Sequence, residues 1–307
     1  MRRTKVHSAK CKVRSGIRVF RSFALATLLI APLSAQAAGP ALRINGSTTV
    51  TPVAVDAAEA LRHEQGLTIT VDSQGGSSGG ISGIGDGSID IGMSSKPVTA
   101  EDRKKYPDVN FVSTKIGEDA VALVVSADVW NGGVRSLTRQ QARDLYEGRI
   151  RNWKTLGGPD RRVVFFNKEP GRGTWEVFAI WAYGSAKNAP EVSHAEVGAN
   201  EEARNKVGGT RGAISQLSSS WAEGSRRIKA LGIKLDDGTV VMPTAANIAN
   251  GRYPMSRPLL FLTNGPPAGL QKTFIDYVLS SRGQALLGKH GYLALGGVTG
   301  SRVVASR

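Results

Sequence analysis

Gly75-Gly76-Ser77-Ser78-Gly79-Gly80-Ile81-Ser82-Gly83-Ile84 is the stretch on which the fold reading turns. An apolar strand candidate at residues 67–71 runs into it, and Ile81 and Ile84, three apart, run out of it as a helix. A strand, a glycine-rich turn and a helix start leave backbone N–H groups without partners at the helix N-terminus. The helix dipole adds partial positive charge there, so the turn suits an oxyanion. Glycine lets the backbone approach closely, and Ser77 and Ser78 add hydroxyl donors.

The same design recurs along the chain. Residues 41–44 read as a strand, followed by Gly46-Ser47-Thr48-Thr49 and a helix with Thr51 as N-cap and Pro52 at its first position. Residues 89–93 read as a buried strand, followed by Ser94-Ser95-Lys96-Pro97. Residues 163–166 read as a strand, followed by Lys168-Glu169-Pro170-Gly171-Arg172-Gly173-Thr174 and a helix over 175–181. Residues 109–112 and 120–125 read as two further strands, the second apolar throughout, as a parallel strand covered on both faces is. A helix is predicted over 136–146 and a single long amphipathic helix over 270–287; residues 184–211 give no clear pattern. Strands alternating with helices imply an α/β fold, whose ligands bind at the carboxyl ends of strands. Four hydroxyl-rich turns carrying Lys168 and Arg172 then predict a small dehydrated oxyanion held by N–H and O–H donors.

Composition narrows the setting. Residues 1–37 carry eight Lys/Arg, an apolar run over 23–33 and Ala35-Gln36-Ala37, the pattern of a cleaved signal peptide with Ala38 as the new N-terminus. The sole cysteine, Cys11, falls in that leader away from the cleavage site, so neither a disulfide nor a lipid anchor is expected. The whole chain of 307 residues carries +15, yet residues 38–307 hold 32 basic against 25 acidic residues, or +7. Those charges are interspersed, which fits an anionic ligand and not a nucleic-acid footprint. His63, His194 and His290 are isolated, so no metal is expected, and no P-loop motif is present.

With these motifs in place, the chain resembles the periplasmic phosphate-binding proteins of ABC importers, a type II solute-binding family. The resemblance rests on Gly46-Ser47-Thr48-Thr49-Val50, Gly76-Ser77-Ser78-Gly79-Gly80, Asp90-Ile91-Gly92-Met93-Ser94-Ser95-Lys96-Pro97, Asn152-Trp153-Lys154, Glu169-Pro170-Gly171-Arg172-Gly173-Thr174 and Tyr253-Pro254-Met255-Ser256-Arg257-Pro258, in family order. It implies a two-lobe (Venus-flytrap) architecture with crossing hinge strands near Ala120 and Pro258. The lobes would be residues 38–120 with 258–307, and 121–257. It further implies a monomer in the periplasm, without cofactor, that captures inorganic phosphate or a similar tetrahedral oxyanion and docks on a membrane permease. The ligand set carried over is Ser47, Thr48, Thr49, Ser77, Ser78, Ser95, Lys168, Arg172, Gly173 and Thr174. Ser95 falls where many family members have either an aspartate or a serine; its oxygen can accept a phosphate proton but can also donate, and Glu169 is the alternative acceptor. Arg172 would be the main cation, its fork on two anion oxygens. Trp153, Tyr253 and Arg257 are read as structural. The competing reading is a serine hydrolase, because Gly75-Gly76-Ser77-Ser78-Gly79 matches Gly-x-Ser-x-Gly; it requires His194 or His290 as the base of Ser77.

Overall fold

The computed structural model describes residues 41–296; the leader expected over 1–37 and the end of the last lobe segment lie outside the described residues. The chain opens with β1 (Leu42–Gly46), α1 (Thr51–Gln65), β2 (Ile69–Val71), α2 (Gly76–Gly85), β3 (Ile91–Ser94) and the short α3 (Ala100–Lys105). β1 lies between β2 and β3, parallel to both, as two right-handed crossovers through helices require. α1 buries Val53, Ala54, Ala57, Ala58 and Leu61, a stripe at the helical period, against this sheet.

The expectation at the glycine run needs correction. Gly76-Ser77-Ser78-Gly79-Gly80 is not a turn before a helix; it is the first half of α2. Glycine is tolerated there because α2 lies directly on the sheet: a Cβ on Gly80 would sit 2.5 Å from the Met93 carbonyl oxygen. Gly80→Ala is therefore expected to force α2 off β3 and to cost about 1–3 kcal/mol, read as a lowered denaturation midpoint. A midpoint equal to wild type would show that the helix can retreat freely.

The strands expected at 109–112 and 120–125 are one strand, β4 (Phe111–Ser126), of 16 residues. It is followed by α4 (Ala127–Asn131), β5 (Ser136–Thr138), α5 (Arg139–Tyr146), β6 (Val164–Lys168), α6 (Gly173–Tyr183), β7 (Ala195–Val197), α7 (Asn200–Gly209), β8 (Ala213–Ser218) and β9 (Ile228–Ala230). The helix expected over 136–146 begins at Arg139, since Thr138 closes a capping box with Gln141 and leaves Ser136–Thr138 to a strand. β10 (Gly232–Lys234), β11 (Val240–Val241), α8 (Ala245–Ala249), β12 (Ser256–Asn264), α9 (Gly269–Leu279), α10 (Ser281–Lys289) and β13 (Leu293–Ala294) complete the described chain. The single helix expected over 270–287 is broken at Ser280, whose hydroxyl accepts from the Gly283 N–H and restarts the helix as α10.

β4 changes partners along its length. Phe111 to Ala120 pair antiparallel with β12, and Val121 to Ser126 pair antiparallel with β8 and β9. The run 120–125 is buried as expected but is not parallel; burial on both faces, and not strand direction, is what its apolar sequence reports. Through β4 the strands join in the order β2-β1-β3-β12-β4-β8-β6-β7. The two largest of the four apolar clusters among the described residues flank this junction. One draws mainly on residues 42–116 and 259–294, the other on 120–255. The result is a two-lobe mixed α/β fold.

Candidate functional site

Three helices start around one small cavity. Its lining is Ser47, Thr48 and Thr49 ahead of α1, Gly76 and Ser77 at the start of α2, Gly173 and Thr174 at the start of α6, with Ser95, Lys168 and Arg172. The space at the centre is about 10 Å³, room for about one water-sized sphere. Larger cavities lie elsewhere on the surface of the described residues, one of about 550 Å³ beside Trp130 and Tyr292.

The serine cluster is cross-braced. The Ser47 N–H donates to the Met93 carbonyl at 2.9 Å, and the Ser47 hydroxyl donates to Ser95 Oγ at 3.1 Å. The Ser95 N–H donates to Ser77 Oγ at 3.0 Å, and the two hydroxyls are 3.2 Å apart. The start of α6 is pressed against both: a Cβ on Gly173 would lie 2.7 Å from Ser95 Oγ and 2.8 Å from Ser77 Oγ, so only glycine fits. Thr51 is not the N-cap of α1. Its hydroxyl turns back to the Ser47 carbonyl, and Val50 stands at the cap without a side-chain bond.

Arg257, read from the sequence as structural, holds the floor of the site. Nε and Nη2 donate to Asp119 Oδ2 at 3.0 and 2.7 Å, Nη1 to Ser95 Oγ at 3.2 Å and Thr174 Oγ1 at 2.9 Å, and Nη2 also to Thr49 Oγ1 at 3.0 Å. Both charged side chains are 1 % exposed. A guanidinium only donates, so it spends a lone pair of each hydroxyl and leaves the O–H free to point elsewhere. Burial pushes the Asp119 carboxyl upward, and the adjacent Arg257 guanidinium opposes that. Arg257 and Asp119 are register partners on β12 and β4, beside the residue where β4 changes partners. Trp153 and Tyr253 do serve the core, donating to the Gly212 and Val121 carbonyls.

The other two cations are also held. Lys168, at the end of β6, is 1 % exposed and donates from Nζ to the Gly198 carbonyl at 2.5 Å. Burial, with Arg172 and Arg257 nearby, pushes its ammonium down to about 7. The fork of Arg172, expected to lie on two anion oxygens, is instead turned to Glu169 through Nε and Nη2, which donate to it at 2.9 and 2.7 Å. Its Nη1 is buried without a hydrogen-bond partner, 3.1 Å from where a Gly76 Cβ would stand.

Two further expectations change. The Ser78 hydroxyl donates to the Gly171 carbonyl at 2.8 Å, tying the α2 start to the loop before α6 in place of facing the cavity. Ser95 Oγ already accepts from Arg257 and Ser47, so both its lone pairs are engaged and it has none left for a phosphate proton. Lys96, in the turn after β3, pairs with Glu176 of α6 at 2.6 Å. Residues missed at the sequence level are Arg257, Asp119, Gly76 and Asn200, whose Nδ2 donates to Thr49 Oγ1 at 3.0 Å. No histidine is hydrogen-bonded to Ser77 among the described residues: His194 contacts the Tyr146 carbonyl and His290 contacts Asp56. The base that a hydrolase would need is thus not in place. No group of three or more metal-ligating side chains occurs among the described residues, and no described helix is long and apolar enough to cross a membrane.

Two α/β halves joined by crossing strands, with three helix starts and buried cations around a small polar cavity, define a two-lobe binding protein. A family model of the PBP superfamily domain matches residues 33–282. The PstS phosphate-binding protein of Bacillus subtilis is 29% identical over 245 residues, covering 80% of this chain and 77% of that one. A crystal structure from Clostridium perfringens with bound phosphate, described as a substrate-binding protein of a phosphate ABC transporter, is 30% identical. It covers 83% of this chain and 100% of its own, with a TM-score of 0.73. An ABC-type phosphate transport receptor of Vibrio cholerae is 28% identical, covers 82% of this chain and 99% of its own, and has a TM-score of 0.64. The chain belongs to the PBP superfamily and, within it, to the phosphate-binding proteins of ABC importers.

Proposed function

We propose that this protein captures inorganic phosphate between its two lobes and delivers it to an ABC importer. The observation that carries the reading is the small polar cavity ringed by donors from three helix starts, with Arg257 beneath it. Ser47, Thr48, Thr49, Ser77, Ser95, Lys168, Arg172, Gly173 and Thr174 form the anion shell, and Ser78 latches it from outside. The lobes are residues 38–120 with 258–307, and 121–257, a division supported by the partner change of β4 at Ala120. The anion bridges them and shifts the open–closed equilibrium toward closed. The protein acts without catalysis, as a monomer, in the periplasm after loss of the leader over 1–37, with a membrane permease as its partner.

Calorimetry on the protein from Ala38 onward, titrated with phosphate, sulfate and molybdate, tests this. Phosphate is expected to bind. Sulfate is expected to compete measurably, because the Thr49 hydroxyl, with both lone pairs taken by Asn200 and Arg257, is set as a donor and favours a fully ionised anion. The absence of heat and of a thermal shift with every oxyanion would sink the proposal.

A further inference from the structure

We infer that Asn200 is a positioning residue for the anion site: it fixes the Thr49 hydroxyl as a donor into the cavity. The inference rests on the phosphate-binding reading above. Asn200 is the first residue of α7, and Ala199 occupies the cap position, so the amide is not spent on its own helix. It is 0% exposed, and its Nδ2 donates to Thr49 Oγ1 at 3.0 Å; its Oδ1 has no hydrogen-bond partner. Thr49 Oγ1 also accepts from Arg257 Nη2 at 3.0 Å. A hydroxyl oxygen has two lone pairs. With both accepting from protein, the hydroxyl can engage anything further only by donating, and Thr49 lines the cavity. Arg257 alone would leave one lone pair free, and the hydroxyl could then turn that lone pair toward an incoming anion. Asn200 removes that option. The two residues lie 151 positions apart, one in each half of the chain, so the hydroxyl is committed as a donor only when the halves are together.

A double-variant cycle read by phosphate calorimetry tests this. Asn200→Leu, close to the amide in size but without a donor, is expected to weaken phosphate binding about tenfold, or about 1.4 kcal/mol. In a Thr49→Val background, where no hydroxyl remains to orient, the same change should cost less than about twofold. In a Thr49→Ser background, which keeps the hydroxyl, the tenfold cost should return. Asn200→Ala, measured alongside with thermal melts, replaces the leucine variant if the latter fails to fold. Equal losses in all three backgrounds would mean that Asn200 acts through the fold and would overturn the inference. Wild type that binds no phosphate would overturn the functional reading and this inference with it.

Discussion

Arg257→Met is expected to abolish phosphate binding and to destabilise the protein by about 3–5 kcal/mol, because it strands Asp119 as an unpaired buried carboxylate. The two losses have different origins and can be separated. Stability depends on the pair: Asp119 is 1% exposed and its Oδ2 takes two hydrogen bonds from the guanidinium. Binding depends on the hydroxyls that the guanidinium holds in place around the cavity, those of Thr49, Ser95 and Thr174. Replacing both partners, Arg257→Met with Asp119→Leu, is expected to recover most of the stability, as apolar substitution of a whole buried pair usually does. It should not recover binding. Urea denaturation and phosphate calorimetry on the single and double variants check this. Binding within tenfold of wild type in either would show that Arg257 is structural after all.

The second large effect concerns protons. Lys168 ionises at about 7 in the folded protein against an ordinary value of 10.5. Between those values the unfolded chain holds a proton that the folded chain has released. Stability of the anion-free protein therefore rises with pH across that window. Binding runs the other way, since an anion beside Nζ favours the ammonium. Above pH 7, phosphate capture is expected to take up a proton at Lys168 and to weaken as pH rises. Calorimetry at pH 8.5 in buffers of different ionisation enthalpy measures the uptake directly, and phosphate is by then almost wholly in one protonation state. Lys168→Met should remove the uptake and flatten the profile. Buffer-independent heats in wild type would place the charge elsewhere.

How much of this could be read from the sequence depends on which contacts are local. The hydroxyl-bearing segments at Thr48 and Thr174 were legible because glycine, hydroxyl residues and a following apolar period sit within one turn of chain. At Ser77 the same signal reads as a turn, since glycine in a helix gives no helical signal of its own. The break at Ser280 and the strand at Ser136–Thr138 were not, since a single capping hydroxyl outweighed an amphipathic pattern that continued past it. Arg257 was quoted as part of a motif yet assigned to structure, because its role needs a partner 138 residues away. A signal was available: Asp119 and Arg257 are opposite charges directly flanking the two predicted crossings at Ala120 and Pro258. If the crossing strands are neighbours, those charges meet. Arg172 shows the reverse case, where a cation in the right loop was read as a free fork while its own loop supplied Glu169.

Each cation at the site is already answered within the protein. Arg257 has Asp119, Arg172 has Glu169, and Lys168, ionising at about 7, carries only part of its charge near pH 7. The net charge facing the cavity is therefore small. Attraction for an anion comes from oriented N–H and O–H dipoles, whose fields fall off within the cavity itself, together with the proton that Lys168 takes up on binding. Mobile ions act on net charge over about 10 Å at 0.1 M salt, and buried groups are screened much less than exposed ones. Ionic strength thus governs how fast an anion reaches this protein's mildly basic surface, and has little hold on how firmly it stays.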